Sequence, residues 1–384
     1  MRARTVYMDY AASTPLDLKA LGAMLPFLKG KFGNPSSAHR FGQEARVAVE
    51  TARERVAAFL GCSASEIVFT SGATEANNLA VRGVVSSQEE KPHVITSAIE
   101  HESVLHPVRE LEKEGLLEAT YLPASREGLV RAEDVAKALK KNTKLVSVMY
   151  ANSEVGSVQP VGEIGKIARK GGALFHTDAV QAANYLDCGV LRLNADLLTL
   201  SSHKVYGPKG VGVLYIKKGT LVSPLLQGGG QEGDMRSGTE NVAGIVGMGE
   251  AVAELSSPRR GVQQIALRQL RDRLVKEVLS RVPGSSLTGS RELRLPNNAH
   301  FLLEGLEGKD VVQLLDRKGI AASTGSACSE RSQEPSHVLL AMGYSKKEAL
   351  SAVRLTLGRG TRKEDVDKTV KALELTVEQL RKGK

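Results

Sequence analysis

The stretch "LLTLSSHKVYGPKGVGVLYI", residues 197–216, decides how the chain is read. An apolar run stops at two serines. A histidine and a lysine follow, and a glycine-rich turn leads into a second apolar run. Both runs read as buried strands, with Lys204 between them. A lysine among apolar neighbours loses hydration, which disfavours its charged form and lowers its pKa. That yields a nucleophilic amine of the kind that forms Schiff bases. A lysine that closes a strand and reaches solvent fits the same pattern, so this stretch alone leaves both readings open.

Around it, strand-like and helix-like segments alternate. "EIVFT" (66–70), "HVITSAI" (93–99), "LEATYL" (117–122), "KLVSVMYA" (144–151), "ALFHTDA" (173–179), "DLLTLS" (196–201) and "GVGVLYI" (210–216) read as strands. Helical patterns lie between most of them. Ala45, Val49, Ala52, Val56 and Leu60 recur at helical spacing, and Gly61 offers a C-cap. Such alternation predicts an α/β fold, a mostly parallel sheet flanked by helices, with ligands at the carboxyl ends of the strands. The pattern changes near "ELSSPRRG" (254–261). A charged helix, a strand "NNAHFLL" (297–303), a helix "KDVVQLLDRKG" (309–319), a strand "SAVRLTLG" (351–358) and a terminal helix follow. The expected division is a large domain over 17–257 and a smaller α+β domain made of 1–16 and 258–384.

Composition narrows the function classes. The 384 residues are 41% hydrophobic and 25% charged, as in an ordinary soluble globular protein. The net charge of +9 is spread over helices and mixed with acids, and only 4% of residues are aromatic. Direct nucleic-acid binding is therefore not expected, and an acidic protein partner or anionic ligand suits the charge equally well. Three distant cysteines, Cys62, Cys188 and Cys328, form neither zinc spacing nor a disulfide framework. No signal segment or membrane-length apolar run is evident. The expectation is a cytoplasmic protein in a reducing compartment.

The chemistry-bearing motifs each follow a strand. In "TSGATEANN" (70–78), the N–H groups of Gly72, Ala73 and Thr74 with the Thr74 hydroxyl suit a phosphate at a helix N-terminus, or simply cap that helix. "IEHES" (99–103) places His101 after a strand, as a core histidine or as a neighbour to a flat ring. "HTDAVQ" (176–181) puts Asp178 and Gln181 at a strand end, where a buried acid needs a partner such as a protonated heterocyclic nitrogen. Lys204 lies 26 residues beyond Asp178, one loop and one strand away. A phosphate site, a ring neighbour, a carboxylate for a ring nitrogen and a Schiff-base lysine are together what pyridoxal 5′-phosphate requires.

These motifs run in order with "MDYAASTPLD", "FGNPSSAHRFG", "GGGQEGDMRSGT", "STGSACS" and "VRLTLGR" over essentially the whole chain. In this the sequence closely resembles the class V aminotransferase superfamily of fold-type I pyridoxal-phosphate enzymes, specifically the NifS/IscS-type cysteine desulfurases. The resemblance implies that Lys204 carries the cofactor, Asp178 holds its ring nitrogen, Gln181 reaches its phenolic oxygen and His101 stacks on the ring and acts as an acid–base. It implies a cofactor site completed by Ala73, Thr74, Asn152, Ser153, Ser201, Ser202 and His203, with Thr239 supplied across a homodimer interface. Arg354, assisted by Asn34, would pair with the substrate carboxylate. The family pattern carries a second asparagine where this chain has Ser153, whose shorter hydroxyl replaces an amide donor.

Cys328 lies in the polar, glycine-containing segment "ASTGSACSERSQEPSHVLL". That is a poor setting for a buried structural cysteine, whereas Cys62 and Cys188 read as structural. The resemblance implies that Cys328, as thiolate, takes the sulfur of L-cysteine as a persulfide and releases L-alanine. The sulfur would pass to an iron–sulfur scaffold protein or a tRNA-thiolation enzyme. Cys328 would also serve as a transient [2Fe-2S] ligand shared with such a scaffold. The alternatives are a selenocysteine or cysteine-sulfinate lyase, a class V aminotransferase and, in another class, a non-catalytic scaffold-binding subunit.

Overall fold

The computed structural model describes residues 5–257, 259–325 and 334–383. Among them are twelve strands: β1 Val6–Tyr7, β2 Ile67–Thr70, β3 His93–Ser97, β4 Glu118–Leu122, β5 Thr143–Ser147, β6 Leu174–Asp178, β7 Leu197–Ser201, β8 Gly212–Ile216, β9 Ser285–Leu287, β10 Asn298–Leu303, β11 Ile320–Ala321 and β12 Ala352–Thr356. Seven make the central sheet, in the order β2-β8-β7-β6-β5-β3-β4. The pairs from β7 through β4 are parallel, whereas β8 is antiparallel to both β7 and β2. Only β8 is reversed, so the other six strands end on one edge of the sheet. The chain is α/β, as its alternating pattern predicts.

The strands are apolar on both faces because helices cover both. One core joins Val146, Phe175, Leu198 and Val213 to the helix Arg40–Leu60, which buries Ala45, Val49, Ala52, Val56 and Leu60 and ends at Gly61 in the left-handed conformation, φ 68°. A second cluster packs Val68, Val94, Leu145 and Leu214 against the helices Ala73–Ser86 and Glu102–Lys113.

A third core stands apart. It gathers Val6 and Met8 with apolar residues from Leu267 to Val377. Here β12, β10 and β9 form an antiparallel sheet, and β1 pairs with β11. The helices Arg259–Arg281 and Lys363–Lys382 belong to this part. The chain's first strand thus completes a unit built from its last third. Strands β1, β9 and β11, of two or three residues, are too short to leave a periodic signal in the sequence.

Candidate active site

The common edge of six strands delivers the side chains. Gly72 to Thr74 follow β2, His101 follows β3, Asn152 and Ser153 follow β5, Asp178 ends β6, and Ser201 to Lys204 end β7 and its following turn. They open on a cavity of about 450 Å³. Ala73, Thr74, His101, Asn152, Ser153, Asp178, Gln181, Ser201, His203, Lys204 and Arg354 all line it. Ser202 is buried beside it. Asn34 and Thr239 do not line it: Asn34 is exposed and accepts from the Ser36 N–H at 2.9 Å, and Thr239 is exposed. Cys328 lies outside the described residues; Gly325, which is described, is part of the cavity wall.

Asp178 is buried, and both of its donors are neutral. Its Oδ1 accepts from the Val180 N–H at 3.0 Å and its Oδ2 from Asn77 Nδ2 at 2.8 Å. Asn77 also donates to Ser103 Oγ at 2.8 Å, and Ser103 Oγ lies 2.8 Å from His101 Nδ1. The Ser103 N–H donates to the same nitrogen at 3.1 Å, which makes Nδ1 an acceptor and leaves the ring proton on Nε2. His101 is exposed and lines the cavity. The surrounding protein lowers its pKa, the Lys204 charge adds to this, and Asp178 opposes it. Sequence reasoning did not assign Asn77. Its signal was its place one turn before Ala80 and Val81 and two before Val84 on a buried helix face.

A second unassigned element is the strap after β1, residues 9–13. Lys204 Nζ donates to the Ala11 carbonyl at 2.5 Å and the Ala12 carbonyl at 2.8 Å. Gln181 Nε2 donates to the same Ala11 oxygen at 3.0 Å. His203 Nδ1 lies 3.3 Å from Ser13 Oγ, and burial pushes its pKa down to about 4, so its imidazole is neutral at pH 7. Arg354, almost fully buried on β12, donates through Nη1 to the carbonyls of Ser153 at 2.9 Å and Gly325 at 2.5 Å. Its Nη2 donates to Asp9 Oδ1 at 2.8 Å. Its Nε has no partner among the described residues. Asn152 has its amide committed to backbone: Oδ1 accepts from the Glu154 and Val155 N–H groups and Nδ2 donates to the Ile99 carbonyl.

The profile of the family described as Aminotransferase class-V matches residues 6–369. The chain belongs to the class-V aminotransferase family. It is 50% identical over 379 residues to a protein named cysteine desulfurase IscS from Dictyoglomus turgidum, covering 98% of this chain and 96% of that one. A protein of the same name from Methanosarcina thermophila is 45% identical, covering 98% and 93%. Among solved structures, a NifS-like protein superposes with a TM-score of 0.91 at 37% identity, covering 98% of this chain and 99% of that one. A structure described as SspA in complex with cysteine gives 0.81 at 39%, covering 92% and 99%.

This class-V aminotransferase family depends on pyridoxal 5′-phosphate, and the residues present fit that group. The helix Ala73–Ser86 starts at Gly72 with no side-chain cap, so its first N–H groups stay open for a phosphate. That helix start is seated against Gly212 of β8, where any Cβ would fall 2.4 Å from the Gly72 carbonyl carbon. Asp178 is a buried carboxylate with neutral donors only, which suits a protonated ring nitrogen. Ser202 Oγ is a buried hydroxyl with no partner among the described residues. Lys204 supplies the amine.

Proposed function

We propose that this chain is a cysteine desulfurase that converts L-cysteine to L-alanine and carries the released sulfur on Cys328. The observation that carries the reading is the convergence of Lys204, Asp178, His101 and Arg354 on one cavity whose wall includes Gly325, three residues before Cys328.

Ala73, Thr74, Asp178, Gln181, Ser201, His203 and Lys204 would hold pyridoxal 5′-phosphate, which would supply the electron sink that makes the Cβ–S bond of cysteine breakable. Arg354 binds the substrate carboxylate and so fixes which bonds face the reacting groups. Lys204 Nζ takes the Cα proton, and its two carbonyl acceptors on the strap hold the amine once it carries that proton. His101 enters neutral, its Nδ1 held by Ser103, with Nε2 left to exchange a proton with the substrate thiol or with Cys328. The Cys328 thiolate then attacks the substrate sulfur: an S–S bond forms, the Cβ–S bond breaks, and the carbon is protonated. The sum is L-cysteine plus one thiol giving L-alanine plus one persulfide.

The sulfur acceptor is read as an iron–sulfur scaffold or another sulfur-accepting protein, and Cys328 as a transient cluster ligand shared with it. A homodimer is read from the exposed side chains Leu18, Leu28, Phe32 and Phe41, an apolar surface that suits burial against a second copy. Thr239, exposed and outside this chain's own cavity, fits a role in the partner's site.

The test is release of sulfide and alanine from L-cysteine with a thiol reductant, comparing the purified protein with Cys328→Ala. Equal amounts of both products from the native protein, and neither from a variant that keeps its yellow colour, support the reading. A fully active variant overturns the persulfide step and favours a lyase.

A further inference from the structure

We infer that a groove between the helix Arg259–Arg281 and the loop after β9 is a docking site for an acidic polypeptide segment bearing aliphatic side chains. The groove, a cavity of about 510 Å³, shares no lining residue with the active-site cavity. One wall is a single face of the helix Arg259–Arg281, where Arg271, Val275 and Leu279 recur at i, i+4, i+8. The opposite wall is Leu287 at the end of β9 and the following loop.

Charge is what marks it. Four cations, Arg271, Lys276, Arg291 and Arg294, line the groove against one carboxylate, Asp272. Asp272 is already paired with Arg271 at 2.6 Å. Arg294 is 5% exposed and has only neutral acceptors: Nε donates to the Ser290 carbonyl at 2.7 Å, Nη1 to Asn298 Oδ1 at 3.2 Å and Nη2 to the Thr288 carbonyl. Burial and the nearby Arg271 charge push its pKa down to about 9. Among the described residues no carboxylate pairs with Arg294, Lys276 or Arg291. The guanidinium of Arg294 is held inside by its neutral acceptors and adds positive charge behind the groove, while Lys276 and Arg291 are exposed and meet an incoming carboxylate directly.

The shape argues for a polypeptide over a compact ion. The groove runs for more than two turns of the helix, and its floor of Val275, Leu279 and Leu287 is apolar. β9 is the edge strand of its sheet and gives the groove its last residue, Leu287. Alternating acidic and aliphatic side chains would meet the cations and the floor in turn.

The test uses the full-length holoenzyme and a fluorescein-labelled peptide of alternating glutamate and leucine, followed by fluorescence anisotropy at physiological salt. Lys276→Glu with Arg291→Glu changes two exposed positions of the groove. Lys141→Glu with Lys144→Glu makes the same net charge change at exposed positions elsewhere. The expected result is saturable binding to the native protein and to the control pair, weakened about tenfold or more in the groove pair. The same peptide with glutamine for glutamate should bind about tenfold more weakly or worse. Equal loss in both pairs would show diffuse attraction to a basic surface and overturn the proposal. So would an absence of saturable binding to the native protein.

Discussion

Asp9 and Arg354, 345 residues apart, form a 2.8 Å ion pair in which the arginine is 3% exposed. The guanidinium assigned to the substrate carboxylate is therefore already facing a carboxylate of its own chain. Replacing Asp9 by asparagine keeps an acceptor but removes the counterion, so the ligand-free protein should lose about 3 kcal/mol. An amino-acid ligand should then restore more stability to Asp9→Asn than to the native protein. Thermal unfolding with and without L-alanine measures this, and an equal rise in Tm in both proteins would separate Asp9 from substrate binding.

Asn77 links Asp178 to Ser103 and, through it, to His101. In Asn77→Ala, Asp178 Oδ2 and Ser103 Oγ lose their shared donor inside the protein, at about 1–3 kcal/mol. Urea unfolding should show that loss. Asn77→Asp should do more harm to cofactor retention, because it sets a second carboxylate against Asp178. The visible absorbance left after dialysis reports retention, and the expected order is native, then alanine, then aspartate.

The pH profile follows from His101. Desolvation by the surrounding protein holds its pKa below the ordinary 6.5, so the ring is neutral at pH 7. A base that must be neutral fails only when pH falls through its folded-state pKa. The acidic limb of kcat/KM should therefore lie below pH 6.5 in the native protein and be absent from the residual activity of His101→Gln. A limb above 6.5 would assign the titration to another group.

Glu100 gives a pH effect of opposite sign. It is fully buried. Its Oε1 accepts from Ser97 Oγ at 2.5 Å and the Met149 N–H at 2.9 Å, and burial pushes its pKa up to about 8. Between the ordinary 4.5 and about 8 the native state keeps a proton that the unfolded chain has released, so this group's contribution falls as pH rises through that window. Glu100→Gln preserves the neutral acceptor. The difference in Tm between Glu100→Gln and the native protein should grow in favour of the variant from pH 5 to pH 8.

Much of this was readable from residues alone. Mostly apolar five-residue strands, such as Leu197–Ser201 and Gly212–Ile216, declared themselves, and the strand ends and following turns carried Lys204, Asp178 and His101. The reversal of β8 was hidden, because direction leaves no mark on composition. The helix Leu18–Lys29 was hidden too: Pro26 lies inside it, and Leu18, Leu25 and Leu28 face solvent, so no buried stripe appears. The strap escaped for a different reason. Ala11 and Ala12 act through backbone carbonyls, which every residue has, so their side chains give no sign that they hold Lys204.

The strap also sets an order of assembly. Every strand of the central sheet lies between Ile67 and Ile216, so a chain emerging from synthesis can build that sheet, with the strand ends that carry Asp178 and Lys204, long before Arg354 exists. The strap that carries the acceptors of Lys204 has two anchors: Thr14 donates to the His203 carbonyl at 2.9 Å, and on the other side β1 pairs with β11 and the Thr356 N–H reaches the Met8 carbonyl at 2.7 Å, a contact that closes nearly the full length of the chain. Contacts of such sequence separation form late. A partly made molecule can thus set Asp178 and Lys204 in place before Arg354 joins them, and the strap gains its second anchor only once synthesis is almost complete.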